Sequence, residues 1–292
     1  MCYRGSGMSR RREKKRSQKA EPPRARGGVG LRRATAILVA VALVGGLVAS
    51  GLLFRNPWSG EGAAPKTAVI VDQLSLTQPN PDFAEKATET LEQAGYTVDY
   101  FAGEQVTVDF YRNLPAGHYG LILLRVHSGR SSEIDPTTGE KTKREYVSLF
   151  TGEPYDDTKY VEDRNPEAGG AELSFARIGR ATYYPDAPPL FGISPNFIKY
   201  SMHDRFDRTV IIMMGCDGLI SDMTAQAFVR KGAKAVMGWT GPVSADHTDA
   251  ATERLVQHLV IDRIAPAKAV TQTMAELGND PQYGTELRIY PP

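Results

Sequence analysis

Four short runs along the chain are almost continuously apolar: Thr67–Val71 (TAVIV), Leu121–Val126 (LILLRV), Thr209–Met214 (TVIIMM) and Ala235–Trp239 (AVMGW). Runs this short, rich in branched side chains and with no polar face, predict strands buried on both sides. Tyr96–Phe101 alternates and predicts a further strand. Between these runs apolar residues recur at helical spacing. Phe83, Ala87, Leu91 and Ala94 share one face of a helix that opens at Pro79–Asp82 and stops at Gly95. Ser221–Lys231 reads as a helix with Met223, Ala227 and Phe228 inward, closed by Gly232. Ser244–Val260 and Pro266–Leu277 read as two more, the last with Pro in its first turn. Val106–Leu114 fits a short helix or a turn. Strands alternating with helices predict an α/β fold, a mostly parallel sheet with helices on both faces.

One stretch breaks this pattern. Residues 128–208 are rich in Gly, Pro, Asp and Tyr and hold no sustained period. Short hairpins are expected at Tyr146–Thr151 and Ala171–Ile178, with a helical turn near Pro195–Met202. The rest is expected to be an irregular insertion of the kind that serves recognition.

Charge changes the picture at the N-terminus. Residues 1–33 carry twelve Lys and Arg against two Glu, so this head is +10 and the remainder of the chain is −9. Residues 34–54 follow with no charge and no Pro. About 20 apolar residues span the hydrocarbon of a bilayer. A basic flank keeps its own side in the cytoplasm and is attracted to anionic lipid. The expectation is a single-pass membrane helix, a cytoplasmic N-terminus, a linker over 55–66 and an extracytoplasmic domain over 67–292. A cleaved signal peptide, with Val48-Ala49-Ser50 at the cleavage site, is the alternative. The acidic body argues against a nucleic-acid partner, and the absence of a Gly-rich phosphate loop argues against a nucleotide enzyme. No cofactor is called for.

Ligands of open α/β sheets bind beyond the carboxyl ends of the strands. His127 directly follows LILLRV, and Cys216 follows TVIIMM. Cys216 is the only cysteine after residue 2, so the body can form no internal disulfide. If the two strands are neighbours, a thiol and an imidazole emerge at one edge. An imidazole beside a thiol favours the thiolate and can protonate a leaving amine. Gly129, Gly215 and Gly218 permit tight turns, and the N–H groups of Cys216 and of Ser128 or Gly129 are candidate oxyanion donors. A Cys or a His at a strand end is, taken alone, more often an ordinary packed residue.

The strings Val126-His127-Ser128-Gly129 and Gly215-Cys216-Asp217-Gly218, with the helix–Gly-Ala–strand–Trp run from Ala225 to Trp239, resemble the caspase-like cysteine peptidases, nearest to CHAT-domain and gingipain-like members. The resemblance covers Leu121 to about Met274 and leaves 130–208 unexplained. It implies a three-layer sandwich in which His127 is the general base and acid and Cys216 the nucleophile of a cysteine endopeptidase acting on a peptide or protein substrate. Ser128 departs from the pattern, which has Gly next to His. Asp72, Asp217, Trp239 and Asp246 are candidate substrate-pocket residues. Asp217, Asp222 and Asp246 read equally as helix-start or loop carboxylates. The other readings are a catalytically inactive binding module of the same fold and a structural ectodomain with an inert thiol. His247 as an alternative base for Cys216, and Asp246, His247 and Asp249 as metal ligands, fit the spacing less well.

Overall fold

The computed structural model describes residues 65–134, 138–165 and 176–291. The basic head, the apolar run 34–54 and most of the 55–66 linker lie outside the described residues, as does most of the expected Ala171–Ile178 hairpin. Among the described residues no helix is long and apolar enough to cross a membrane.

The chain folds as α/β around a six-stranded sheet, with a smaller antiparallel sheet built from the middle of the sequence. The main sheet contains β1 (Thr67–Asp72), β2 (Thr97–Ala102), β3 (Leu121–Arg125), β8 (Val210–Met213), β9 (Ala235–Trp239) and β10 (Leu287–Tyr290). Their order is β10-β9-β8-β3-β1-β2. Five strands are parallel, and β10 closes one edge antiparallel to β9.

The continuous apolar runs follow from burial on both faces. In β1, Val69 and Val71 enter one core, and Ala68 and Ile70 the other. The same division separates Ile122 and Leu124 from Leu121 and Leu123, and Ile211 and Met213 from Val210 and Ile212. Side chains alternate across a strand, so each strand serves two cores at once. One core is covered by α1 (Pro81–Gln93), α6 (Ala245–Val256) and α7 (Pro266–Leu277). The other is covered by α2 (Val108–Asn113), α4 (Pro195–Tyr200), α5 (Met223–Arg230) and the small sheet.

Helix α1 shows the local rules at work. The Asn80 side chain accepts a hydrogen bond from the Phe83 N–H, and Pro81 occupies the first turn, where its missing donor costs nothing. Phe83, Ala87 and Leu91 form the buried stripe. Gly95, at φ +83°, ends the helix in a conformation that favours glycine. Helix α6 runs on into a π-turn over Gln257–Ile261.

The irregular insertion expected over 128–208 is largely an ordered antiparallel sheet. Its strands are β4 (Ser128–Ile134), β5 (Lys141–Pro154), β6 (Ile178–Ala181) and β7 (Leu190–Ile193), in the order β4-β5-β7-β6. Tyr146–Thr151, expected as a short hairpin, is the middle of the 14-residue β5. Four-residue helix α3 (Val161–Arg164) lies in the connection from β5 to β6. Gly152 joins the small sheet to the body. Its N–H donates to the Val106 carbonyl at 2.7 Å, and a Cβ there would lie 2.1 Å from the Gly103 oxygen. Thr224 on α5 bonds the backbone of Val147 in β5, fixing the same sheet from the helix side.

The charged member of β3 is buried as completely as its apolar neighbours. Arg125 is 1% exposed. It donates to Asp72 at 2.7 Å, to both oxygens of Asp249 at 2.9 Å, and to the Gln78 carbonyl at 2.9 Å. Removing one partner of such a set leaves uncompensated buried charge. Arg125→Met is therefore expected to lower unfolding free energy by roughly 3–5 kcal/mol, read from urea melts against the unaltered chain. An unchanged midpoint would contradict this account of the knot.

Candidate functional site

Strands β3 and β8 are parallel neighbours, paired from Leu121↔Val210 to Leu124↔Met213. The ladder continues one step further, with the Met214 N–H donating to the Leu124 carbonyl at 3.0 Å. The next residues on each side are the segments carrying His127 and Cys216, so the two leave adjacent strand tips at the carboxyl edge of the sheet. Gly215 makes the approach possible. A Cβ at this position would stand 2.3 Å from the Val126 oxygen and 2.5 Å from Ser128 Oγ, closer than real contacts allow.

The backbone around the thiol is fixed from several sides. The Ser128 hydroxyl donates to the Cys216 carbonyl. The N–H of the same peptide unit, on Asp217, donates to the Gly241 carbonyl at 2.8 Å. One peptide plane is thus held at both ends. Asp217 adopts φ +62°, a left-handed conformation that Asp tolerates better than most residues. Gly218 fits tightly against Met213 and Gly238, and the Leu219 N–H bonds the Trp239 carbonyl at 2.8 Å. The turn after the cysteine is therefore laid over the end of β9. The Cys216 side chain is partly exposed, with Sγ 3.7 Å from the Val243 carbonyl oxygen.

His127 stands where the chain passes from the parallel sheet into the antiparallel one. Its N–H donates to Gln73 Oε1 at 2.9 Å, and its carbonyl accepts from the Phe150 N–H at 2.9 Å. Nε2 of the ring lies 2.9 Å from Thr77 Oγ1. The Tyr183 ring packs on the imidazole at 4.6 Å between centroids, with Phe150 at 6.1 Å. Burial first, and then the positive charge of Arg125, push the imidazole pKa down to about 4. The ring is accordingly neutral across the physiological range. A neutral ring carries no cationic charge with which to stabilise a thiolate.

The small sheet decides between the two candidate donors after His127. The Phe150 N–H donates to the His127 carbonyl, a bond that flanks Ser128 and Leu149, and bonded and unbonded pairs alternate along an antiparallel ladder. Gly129 opposite Ser148 is then hydrogen-bonded within the ladder, whereas Ser128 opposite Leu149 is not. The Gly129 N–H is committed to β5, which corrects its reading as an oxyanion donor. Ser128 N faces Gly215, 3.3 Å from where a Cβ would be.

The four candidate pocket residues separate. Asp72 is 1% exposed and binds Arg125, the Tyr100 hydroxyl at 2.9 Å and the Ser75 N–H at 3.0 Å. Trp239 is buried, its indole N–H donating to Thr248 Oγ1 at 2.9 Å. Both are internal structural groups rather than walls of an open pocket. Asp246 is exposed in the first turn of α6. Asp217 stays beside the thiol, 3.5 Å from the Arg130 guanidinium through one oxygen. Its other oxygen is buried without a hydrogen-bond partner, and burial raises its pKa.

His247 packs on Trp239 at 5.3 Å in the first turn of α6. Asp249 is committed to Arg125 and Asn80, so it is not available to a metal with Asp246 and His247. Among the described residues no group of three or more His, Cys, Asp or Glu is placed to hold a metal ion. Thr77 and Tyr183, which touch the imidazole, and Gln73, which holds the His127 backbone N–H, were not singled out by the sequence. Arg125 carried a signal, since a cation closing a buried strand requires buried partners. The chain matches no protein-family model and no curated protein.

Two outcomes follow from this geometry. Gly215→Ala forces the β3 and β8 tips apart and is expected to cost roughly 1–3 kcal/mol in a thermal or urea melt. Protonation provides the second. The unfolded histidine binds a proton below its ordinary 6.5, and the folded one only below about 4. Stability contributed by the neutral ring is thus present above that window and lost as pH falls through it. Between neutral pH and about pH 4, the wild type is expected to lose roughly 3 kcal/mol more than His127→Gln. Parallel pH profiles for the two proteins would refute the depressed titration.

Proposed function

We propose that the chain is a caspase-like cysteine peptidase, with His127 and Cys216 as its dyad and a peptide or protein as substrate. The observation that carries this reading is the juxtaposition of the two residues on adjacent strand tips, with Gly215 removing the bulk that would separate them. A mostly parallel sheet between two cores, the last strand reversed, supports the three-layer sandwich of that family. In this reading residues 34–54 anchor the chain in a membrane and the basic head stays in the cytoplasm.

The neutral imidazole sets the chemistry. In the tautomer that carries its proton on Nε2, that nitrogen donates to the Thr77 hydroxyl and the Nδ1 lone pair is left for the thiol. As Sγ bonds to the scissile carbonyl carbon, its proton moves to Nδ1. The N–H groups of Cys216 and Ser128 receive the developing oxyanion. The imidazolium returns its proton to the leaving amine as the C–N bond breaks, giving an acyl-enzyme. Water then attacks the thioester, its proton going to His127 and on to the departing sulfur. Here His127 acts as a general base during attack and not as the cation of a resting ion pair.

A second reading, an inactive binding module of the same fold, is favoured by one observation: the aromatic cover of Tyr183 and Phe150 over the imidazole.

Cleavage of a peptide library by the full-length chain separates the two. Cys216→Ala is expected to abolish cleavage, and His127→Ala to lower kcat/KM by on the order of 10²–10⁴-fold. Alkylation of Cys216 by iodoacetamide is expected to slow in His127→Ala as well. Cleavage that persists in Cys216→Ala, or slow alkylation indifferent to His127→Ala without any cleavage, would end the peptidase reading.

A further inference from the structure

Three side chains that the proposed chemistry does not consume surround His127, and two of them are joined to each other. Gln73 follows β1 directly and is fully buried. Its Oε1 accepts the His127 N–H at 2.9 Å, and its Nε2 donates to the Tyr183 hydroxyl. Tyr183 belongs to the turn between β6 and β7, and its ring lies 4.6 Å from the imidazole at an interplanar angle of 52°. Phe150, from β5, backs that ring at 5.8 Å. The third side chain, Thr77, holds Nε2. Backbone, ring face and ring nitrogen of one histidine are therefore each engaged, and one buried amide connects the backbone contact to the ring contact.

A single hydrogen bond at Nε2 leaves an imidazole free to tilt about that contact. A stacked ring restricts the tilt and also removes water from one face. Tyr183 can do this only while its hydroxyl is held, since the turn that carries it is otherwise at the surface: Tyr184, the next residue, is 60% exposed. Gln73 provides the hold. A glutamine suits the task because its amide offers an acceptor and a donor at once, which a carboxylate or an ammonium does not.

We infer that Gln73 and Tyr183 form a clamp on His127, a pair of positioning residues that fix the imidazole plane and keep it from water. The clamp is a property of the folded chain; its value to turnover rests on the peptidase reading above. The groups facing the imidazole from each packed element are consistent with this. Arg125 on β3 is the charged neighbour that disfavours imidazolium. Tyr183 and Phe150 supply aromatic surface and Thr77 a neutral hydroxyl, while Cys216 lies on the neighbouring strand tip. Of these, Tyr183 can be altered without touching the parallel sheet or the Arg125 knot.

The test is a ¹³C NMR titration of the histidine rings in the full-length chain, with the His127 signal identified by its loss in His127→Gln. The wild-type ring is expected to titrate near 4. Tyr183→Ala is expected to raise that value by about one unit or more, toward the ordinary imidazole range. If Tyr183→Ala does not fold, Tyr183→Asn, suited to a turn, is held to the same rule. A wild-type ring that titrates at the ordinary value, or a folded variant that titrates with the wild type, overturns the clamp.

The peptidase reading is separated from it by the acid limb of kcat/KM. Where the wild type cleaves peptides, that limb should move up with the NMR titration in Tyr183→Ala. A titration that moves while no chain cleaves peptide leaves the clamp standing and removes the enzyme. Cleavage with an unmoved titration does the reverse.

Discussion

One buried cation organises the edge of the sheet on which the site stands. Arg125 closes β3 almost wholly buried, and a lone guanidinium there would be prohibitively unfavourable. It is tolerated because each of its three nitrogens meets an acceptor: Asp72 at the end of β1, Asp249 in α6 and the Gln78 carbonyl. Two carboxylates against one cation leave an excess negative charge. Neutral donors take it up, with the Tyr100 hydroxyl and the Ser75 N–H on Asp72 and the Asn80 amide on Asp249. The gain of such a set over an apolar replacement is small, but its geometry is exacting. Its consequence is positional: residues 72–80 are drawn against the tip of β3, and Gln73 and Thr77 lie in that segment.

A second constraint acts on the backbone alone. Neighbouring parallel strands run about 4.8 Å apart, a spacing set by the ladder. Past the ladder the chains must diverge or touch. Here they touch, because Gly215 has no Cβ to collide with the Val126 carbonyl. Ser128 converts the contact into a bond by donating to the Cys216 carbonyl. The residue that departs from the family pattern next to the histidine thus has a use that glycine could not supply. It orients the peptide after the cysteine, and its own N–H is left outside the antiparallel ladder.

How much of this was legible follows from the same physics. The four strands with two buried faces stood out because no position in them tolerates a polar side chain without a partner. The one charged exception, Arg125, was visible as an anomaly, although its partner Asp249 was indistinguishable from other helix-start carboxylates. The antiparallel sheet was not legible. β4 reads SGRSSEI, with hardly an apolar residue, and takes its order from pairing with a long partner strand. β10 is four residues at an edge, too short for a period to register. His127 and Cys216 were marked by their places at the ends of apolar runs. Gln73, Thr77 and Tyr183 had no mark, since a polar residue that meets a histidine across 50 or more positions looks like any other loop residue.

The depressed titration of His127 also constrains which kind of cysteine chemistry the site can support. A resting thiolate needs a positive neighbour, and the ring is held neutral by burial and by Arg125. The carboxyl that follows the cysteine, Asp217, has its pKa raised by burial. Burial thus disfavours the charged form of both side chains, as a low-dielectric environment does when few dipoles are available to solvate ions. In the proposed peptidase, an imidazolium would form only as sulfur attacks carbon, when the proton reaches the ring and the oxyanion reaches the backbone donors together. In such a site, the energetic weight falls on the fixed orientation of neutral groups. The double fixation of the Cys216–Asp217 peptide and the three-point hold on His127 are orientation of that kind.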